Sequence, residues 1–293
     1  MRIGIHTSTA GNLANAARKA HELGANCFQI FSASPRMWRT APPDPAQIEE
    51  MQAARAEHDL TPLVIHDSYL INLASSDDAI RAKSIAGFRG ELERARAIGA
   101  EYLVMHPGSA KGHETLELAL ETLAKSLENA SKGLVFDGFC LLFENTAGGG
   151  ATIGRTLEEL KTLRDMAAPK LPFPVGYCLD TCHLFASGYD VATEAGLKET
   201  VRQAEKVLGL DRIPVIHTND SKGTLNSHLD RHENIGKGHI GLEGFRRILN
   251  HPQLCAKAFV LETPIDNEGD DQLNVDTLKS LCRKSRTTTK KSN

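Results

Sequence analysis

From its first residues to its last, the chain alternates short apolar runs rich in β-branched residues with longer stretches of helical period. RIGIHTS precedes NLANAARKAHELG, CFQIFSAS precedes DPAQIEEMQAARAEHD, and LVIHDSY precedes a helical stretch from Asp77 to Gly99. YLVMHPG is followed by a helix from about His113, CLLFENTAG by a helix opening on a capping box from Thr156 to Glu159, and VGYCLDTCH by a helix near Thr193 to Leu208. PVIHTNDS with a helix near Leu242, and AFVLETP with a helix from about Asp270 to Cys282, complete eight units. Eight strand–helix units predict an α/β fold, a closed (β/α)8 TIM barrel, rather than an open doubly wound sheet. The expected organisation is one barrel domain over residues 1–282 and a basic, disordered tail over 283–293.

Seven of the eight expected strands carry His, Asp or Glu at or near the carboxyl end: His6, His66, His106, Glu144, Asp180, His217 and Glu262. With 37 acidic residues and 12 histidines among 293, chance placement at one position per strand would give about one or two. The flanks LVIH, LVMH, LLFE, YCLD, PVIH and FVLE are apolar, so these groups sit where an unpaired polar atom costs a few kcal/mol. In a parallel barrel all eight strand ends converge on one mouth, the usual place of catalytic groups. Any single histidine of the set is accounted for as a buried neutral imidazole with a hydrogen-bond partner. Four imidazoles and three carboxylates facing one cavity are not, whereas divalent cations accept both ligand types and cancel the carboxylate charge.

About twenty residues, Thr218 to Ile240, separate the seventh strand from its helix, far beyond the usual 2 to 6. This loop holds HLDRHENIGKGHIG, in which Asp230 and His232 alternate, and His183 lies three residues beyond Asp180 in DTCH. Alone, DRH would be a solvated charged turn; above a barrel mouth it offers two more ligands. His21, His58 and His251 fall on helices or turns and receive no function.

The formal net charge of −3 does not advertise a nucleic-acid binder. The tail RKSRTTTKKSN holds five basic and no acidic residues, which leaves −8 on residues 1–282, so any binding of DNA requires a local positive site. A non-catalytic DNA-binding module, whose mark is a basic face, fits poorly. No apolar run approaches the ~20 residues of a membrane helix, and MRIGIHTSTAGNL lacks the pattern of a secretion signal; a cytoplasmic protein is expected. Six cysteines stand without a C-x-x-C pair, which points to reduced thiols and away from a cysteine zinc finger.

HDSYLINLAS, HPGS, FENTAGGG, LDTCHLFASGYD, HTNDSK, DRHENIGKGHIG and LETP, in this order over about residues 1 to 270, closely resemble the signature motifs of the endonuclease IV (deoxyribonuclease IV) family of apurinic/apyrimidinic endonucleases. The resemblance implies a barrel with a trinuclear zinc cluster. One Zn2+ would take His66, His106 and Glu144; a second would share Glu144, the catalytic bridging carboxylate, and add Asp180, His217 and Glu262; a third would take His183, Asp230 and His232. Five imidazoles among nine ligands suit zinc better than magnesium, with Mn2+ possible at one site. Three Zn2+ against four carboxylates leave a charge of about +2, the local positive site an acidic chain needs.

The implied activity is hydrolysis of the phosphodiester 5′ to abasic sites in damaged double-stranded DNA by a metal-bridging hydroxide, leaving 3′-hydroxyl and 5′-deoxyribose phosphate ends, with trimming of blocked 3′ ends. SPRMW and SYLIN, after the second and third strands, offer Arg36, Trp38, Tyr69 and Leu70 as candidate DNA-facing groups; Tyr69 and Leu70 packing under their loop is the plainer alternative. A monomer is expected. A metal-dependent sugar isomerase or epimerase shares the barrel and its strand-end ligands, but needs only one or two ions. Five histidines, the DRH pair and sparse aromatic residues favour phosphodiester chemistry.

Overall fold

The computed structural model describes residues 1–38 and 41–283; the expected tail therefore lies, apart from Arg283, outside the described residues. Eight strands run parallel: β1 (Arg2–His6), β2 (Cys27–Phe31), β3 (Leu63–His66), β4 (Tyr102–Met105), β5 (Cys140–Glu144), β6 (Val175–Asp180), β7 (Val215–His217) and β10 (Ala258–Leu261). They close in the order β1-β10-β7-β6-β5-β4-β3-β2, so the fold is a closed barrel. Inside the connection after β7, β8 (Asp220–Ser221) and β9 (His232–Glu233) form an antiparallel ladder that the sequence pattern did not disclose. Around the barrel lie α1 (Ala14–Glu22), α2 (Pro45–Glu57), α3 (Asp78–Ile98), α4 (Leu116–Ser131), α5 (Leu157–Ala167), α6 (Thr181–Ala186), α7 (Glu194–Val207), α8 (Gly241–Leu249) and α9 (Asp270–Leu281). No helix among the described residues is long and apolar enough to cross a membrane.

Local chemistry explains most boundaries and two departures. Asp77 accepts from the backbone N–H of Ala79 and Ile80 to open α3, and Gly99 closes it in the left-handed region at φ 74°. The helix expected from about His113 opens at Leu116, because Thr115 is the residue whose hydroxyl accepts from Leu118 N. The box expected at Thr156 is displaced: Thr156 accepts from Glu159 N, but the Glu159 carboxylate reaches past the cap to the N–H of Gly154 and Arg155.

Successive strand residues face opposite sides of the sheet, and this alternation places the site. The outward-facing residues, such as Phe28, Ile65, Phe143 and Phe259, join Ala17, Phe88, Leu123, Leu160 and Phe245 of the helices in the main core. Burial of each large side chain there contributes roughly 1.5–3 kcal/mol. Inward-facing Cys27, Val64, Val104, Leu142, Cys178, Val215, Ala258 and Val260 form a separate apolar cluster within the barrel. On β1 the corresponding position is Gly4, where a Cβ would lie 2.4 Å from the Cys27 carbonyl oxygen. Two residues further along each of the eight strands come His6, Gln29, His66, His106, Glu144, Asp180, His217 and Glu262. A ring of polar groups thus stands one pleat above a ring of apolar ones.

Candidate metal centre

Glu144, at the end of β5, is fully buried at the middle of this ring. Its Oε2 lies 3.3 Å from His66 Nε2 and 3.3 Å from His106 Nε2. Its Oε1 lies 2.9 Å from His217 Nδ1 and 3.4 Å from His183 Nδ1. His183 enters from α6, a short helix set directly on the end of β6, where the Asp180 carboxylate accepts from His183 N at 2.8 Å. Asp230 and His232 descend from the long connection: Asp230 Oδ1 is 3.1 Å from His183 Nε2, and β9 pairs His232 with Ser221.

Potential ligand atoms converge in three groups, each within 4.8 Å: His66, His106 and Glu144; Glu144, Asp180, His217 and Glu262; and His183, Asp230 and His232. The nine residues implied as ligands all fall into these groups, with Glu144 shared by two, whereas His6, the remaining strand-end histidine, is in none of them. A further grouping, Asp180, Cys182 and His232, overlaps them; burial pushes the Cys182 thiol up to about 12, which leaves it a poor donor beside the oxygen and nitrogen atoms.

The electrostatics favour cations. Burial pushes the Glu144 carboxyl up, but the imidazoles of His217, His106 and His183 outweigh it and hold the group well below the ordinary carboxylate range. Burial also opposes ionisation of Glu262, yet His217 and His66 bring it down to about 2. Reciprocally, burial lowers the His66 imidazole while Glu144 and Glu262 raise it further, to about 9. Without a metal the carboxylates are thus balanced by protons on imidazoles, the exchange that binding of divalent cations reverses. The donor set, five imidazoles and four carboxylates, fits such ions, and His232 Nε2 is buried with no hydrogen-bond partner.

Three imidazoles are oriented by main-chain carbonyls on the side away from the groups. His66 Nδ1 donates to Asp67 O at 2.9 Å, His183 Nδ1 to Asn145 O at 2.9 Å and His232 Nδ1 to Glu262 O at 3.2 Å, leaving each Nε2 free to ligate.

Comparison with known proteins gives the family. The chain matches the model described as "Xylose isomerase-like TIM barrel" over residues 17–284. It is 57% identical to a "Probable endonuclease 4" of Solibacter usitatus, over 96% of this chain and 97% of that protein. The chain belongs to the endonuclease IV family. "Endonuclease 4" of Thermus thermophilus is 40% identical over 92% of this chain and 94% of that protein. A crystal structure of endonuclease IV from Thermus thermophilus superposes with a TM-score of 0.83 at 39% identity, covering 96% of this chain and 98% of that one. A D-tagatose 3-epimerase-like protein, at 20% identity with a TM-score of 0.68 over 96% of this chain and 97% of that one, shares the fold alone.

In this endonuclease IV family member the DNA-facing candidates divide. Tyr69 is 72% exposed and stands at the mouth, its ring 5.3 Å from Phe31 and 5.9 Å from His66. Leu70 is half-buried and Arg36 exposed. Trp38 instead lies against α3, where a Cβ on Gly87 would meet its ring at 3.7 Å. Ser68 Oγ donates to Pro35 O at 2.8 Å and ties the two loops together. His21 and His58, given no function, stack on each other at 3.7 Å outside the barrel.

Sequence reasoning missed three supporting residues. Asn219 donates to Asp180 Oδ2 at 2.6 Å and accepts from Glu262 N at 2.8 Å. Asp220, fully buried, accepts from the backbone N–H of Ser221, Gly236, Gly238, Ile240 and Gly241, which folds the connection back over the mouth. Gln29 completes the ring on the one strand that has no His, Asp or Glu there. A polar residue inside the apolar run CFQIF was the available signal.

Proposed function

We propose that the chain is a zinc-dependent endodeoxyribonuclease of DNA repair that cuts the phosphodiester 5′ to abasic sites, leaving 3′-hydroxyl and 5′-deoxyribose phosphate ends. The observation that carries this reading is the convergence of nine side chains in three groups around the shared Glu144, in a chain 57% identical to a protein named endonuclease 4. His66, His106 and Glu144 would hold one zinc, Glu144, Asp180, His217 and Glu262 a second, and His183, Asp230 and His232 a third, with manganese admissible at one of them. When bound, the ions supply Lewis acidity toward phosphodiester oxygens and acidify water at neutral pH.

The protein's own part is placement and charge. Glu144 ties the first two groups together, and the backbone carbonyls of Asp67, Asn145 and Glu262 keep three imidazoles turned toward their group. Four carboxylates against three divalent ions leave a charge of about +2, which draws a phosphate to the mouth of a chain whose formal charge is −3. Tyr69, Leu70 and Arg36, on loops joined by Ser68, face the duplex and favour a baseless nucleotide that unstacks easily. The same centre would trim blocked 3′ ends. The chain would act as a monomer, as one catalytic barrel over residues 1–282.

A duplex oligonucleotide with one abasic-site analogue tests the reading. Metal-replete protein should incise it immediately 5′ to the site, chelated protein should not, and elemental analysis should find three zinc ions per chain. Absence of incision by replete protein, or fewer than two bound ions, would overturn it.

A further inference from the structure

Gln29 is the one member of the polar ring that is not His, Asp or Glu, the residue types that ligate cations, yet it is fully buried among them. Its Nε2 donates to Glu262 Oε1 at 2.6 Å and approaches His6 Nδ1 at 3.1 Å, and its Oε1 lies 2.8 Å from His217 Nε2. These contacts fix the amide. An ionised carboxylate only accepts, so the NH2 end must face Glu262 and the carbonyl end must face His217. His217 must then donate from Nε2. Its free nitrogen is Nδ1, 2.9 Å from Glu144 Oε1 and 3.2 Å from Glu262 Oε2. His217 therefore presents the nitrogen opposite to that of His66, His183 and His232, and it is held by a side chain where they are held by the main chain.

We propose that Gln29 is a positioning residue of the metal centre, selecting the Nε2–H tautomer of His217 and orienting Glu262, so that Nδ1 and Oε2 face the group completed by Glu144 and Asp180. The assignment rests on the metal-centre reading above. Of the three partners of Gln29, Glu262 and His217 belong to the same group and His6 to none, so its influence is confined to one of the three groups. An apolar residue at position 29 would take from His217 Nε2 the carbonyl oxygen that accepts its proton, free the ring to turn over, and release one oxygen of Glu262. Outer hydrogen bonds of this kind are worth about 10- to 100-fold in metal affinity.

The test uses the zinc-loaded full chain and a Gln29→Met variant, which keeps length and approximate volume but removes the hydrogen bonds to Glu262 and His217. Titration with a chromophoric chelator should release one zinc in three about 10- to 100-fold more readily from the variant, the other two unchanged. Kinetics on an abasic duplex should show lower kcat at little-changed KM. Long-range proton–nitrogen NMR of the wild-type protein should show His217 bound to zinc through Nδ1, and His66, His183 and His232 through Nε2. This last measurement decides the matter even where the variant fails to fold. Ligation of His217 through Nε2, or wild-type zinc release from a folded Gln29→Met, would overturn the role of Gln29 and leave the metal centre standing. A wild-type chain that takes up no zinc would sink both.

Discussion

Where α3 packs behind the end of β2, Arg94 donates from Nε to Ser32 Oγ at 2.7 Å and pairs through Nη2 with Glu91 Oε1 at 3.0 Å, while Ser32 donates to Glu91. In the barrel mouth, four carboxylates and five imidazoles crowd together, and among the described residues the ion pairs of those carboxylates are all with histidines. Both clusters hold buried ionisable groups, Asp230 of the second being exposed, but only the first is complete: one cation, one anion and a hydroxyl use each other's hydrogen bonds. The second balances its charge only by protonating imidazoles or by admitting cations. Burial of charge thus says little about function, whereas an unmatched set of ligands says much.

That contrast can be broken at either end. The largest effect should come from Glu144→Ala, which removes the residue common to two groups: zinc content should fall by at least one ion, and incision of an abasic duplex by on the order of 10³-fold or more, measured under single turnover. Retained cleavage would mean that the mouth is no more functional than the closed cluster. Arg94→Met, leaving Glu91 buried and unpaired, should cost about 3–5 kcal/mol in urea unfolding. Its kcat should stay at the wild-type value wherever the protein remains folded; a loss of kcat at full folding would dissolve the distinction.

Asp220→Asn sits between these extremes. It replaces one acceptor oxygen of a carboxylate that gathers five backbone N–H groups, and should cost about 1.5–3 kcal/mol in the same assay. Because the connection it folds carries Asp230 and His232, zinc should be lost from that group before the others, read by chelator titration; uniform loss would assign Asp220 to the fold alone. Tyr69→Ala, outside both clusters, should raise KM for abasic duplex about tenfold, near 1.4 kcal/mol, with zinc content and kcat little changed. An unaltered KM would remove Tyr69 from the DNA-facing surface.

The barrel was legible because strand and helix periods differ and recur eight times, and the ligand positions because each strand-end ligand follows an apolar run on a strand bound for the same mouth. Other features left weaker traces. α6 is six residues long and the β8–β9 ladder two residues a side, too short to express a period. Gln29 carries no charge to mark it, and a neutral amide gains its role only from neighbours 188 and 233 residues away. Asp220 looked like one more loop residue, since its donors lie 16 to 21 residues onward except for Ser221. The packing of Trp38 on α3 was hidden because nothing local reveals the bare surface of Gly87 that receives it.

The polar ring stands two residues above the apolar one on every strand, and this bears on how such a chain can change over generations. Inserting or deleting one residue within a strand would turn its ligand out of the barrel and a core residue in. Length changes are therefore barred from the strands and confined to the connections above the mouth, the longest of which already delivers two of the nine ligand side chains by its own fold. Chemistry, by contrast, can be rewritten one side chain at a time on an unchanged frame.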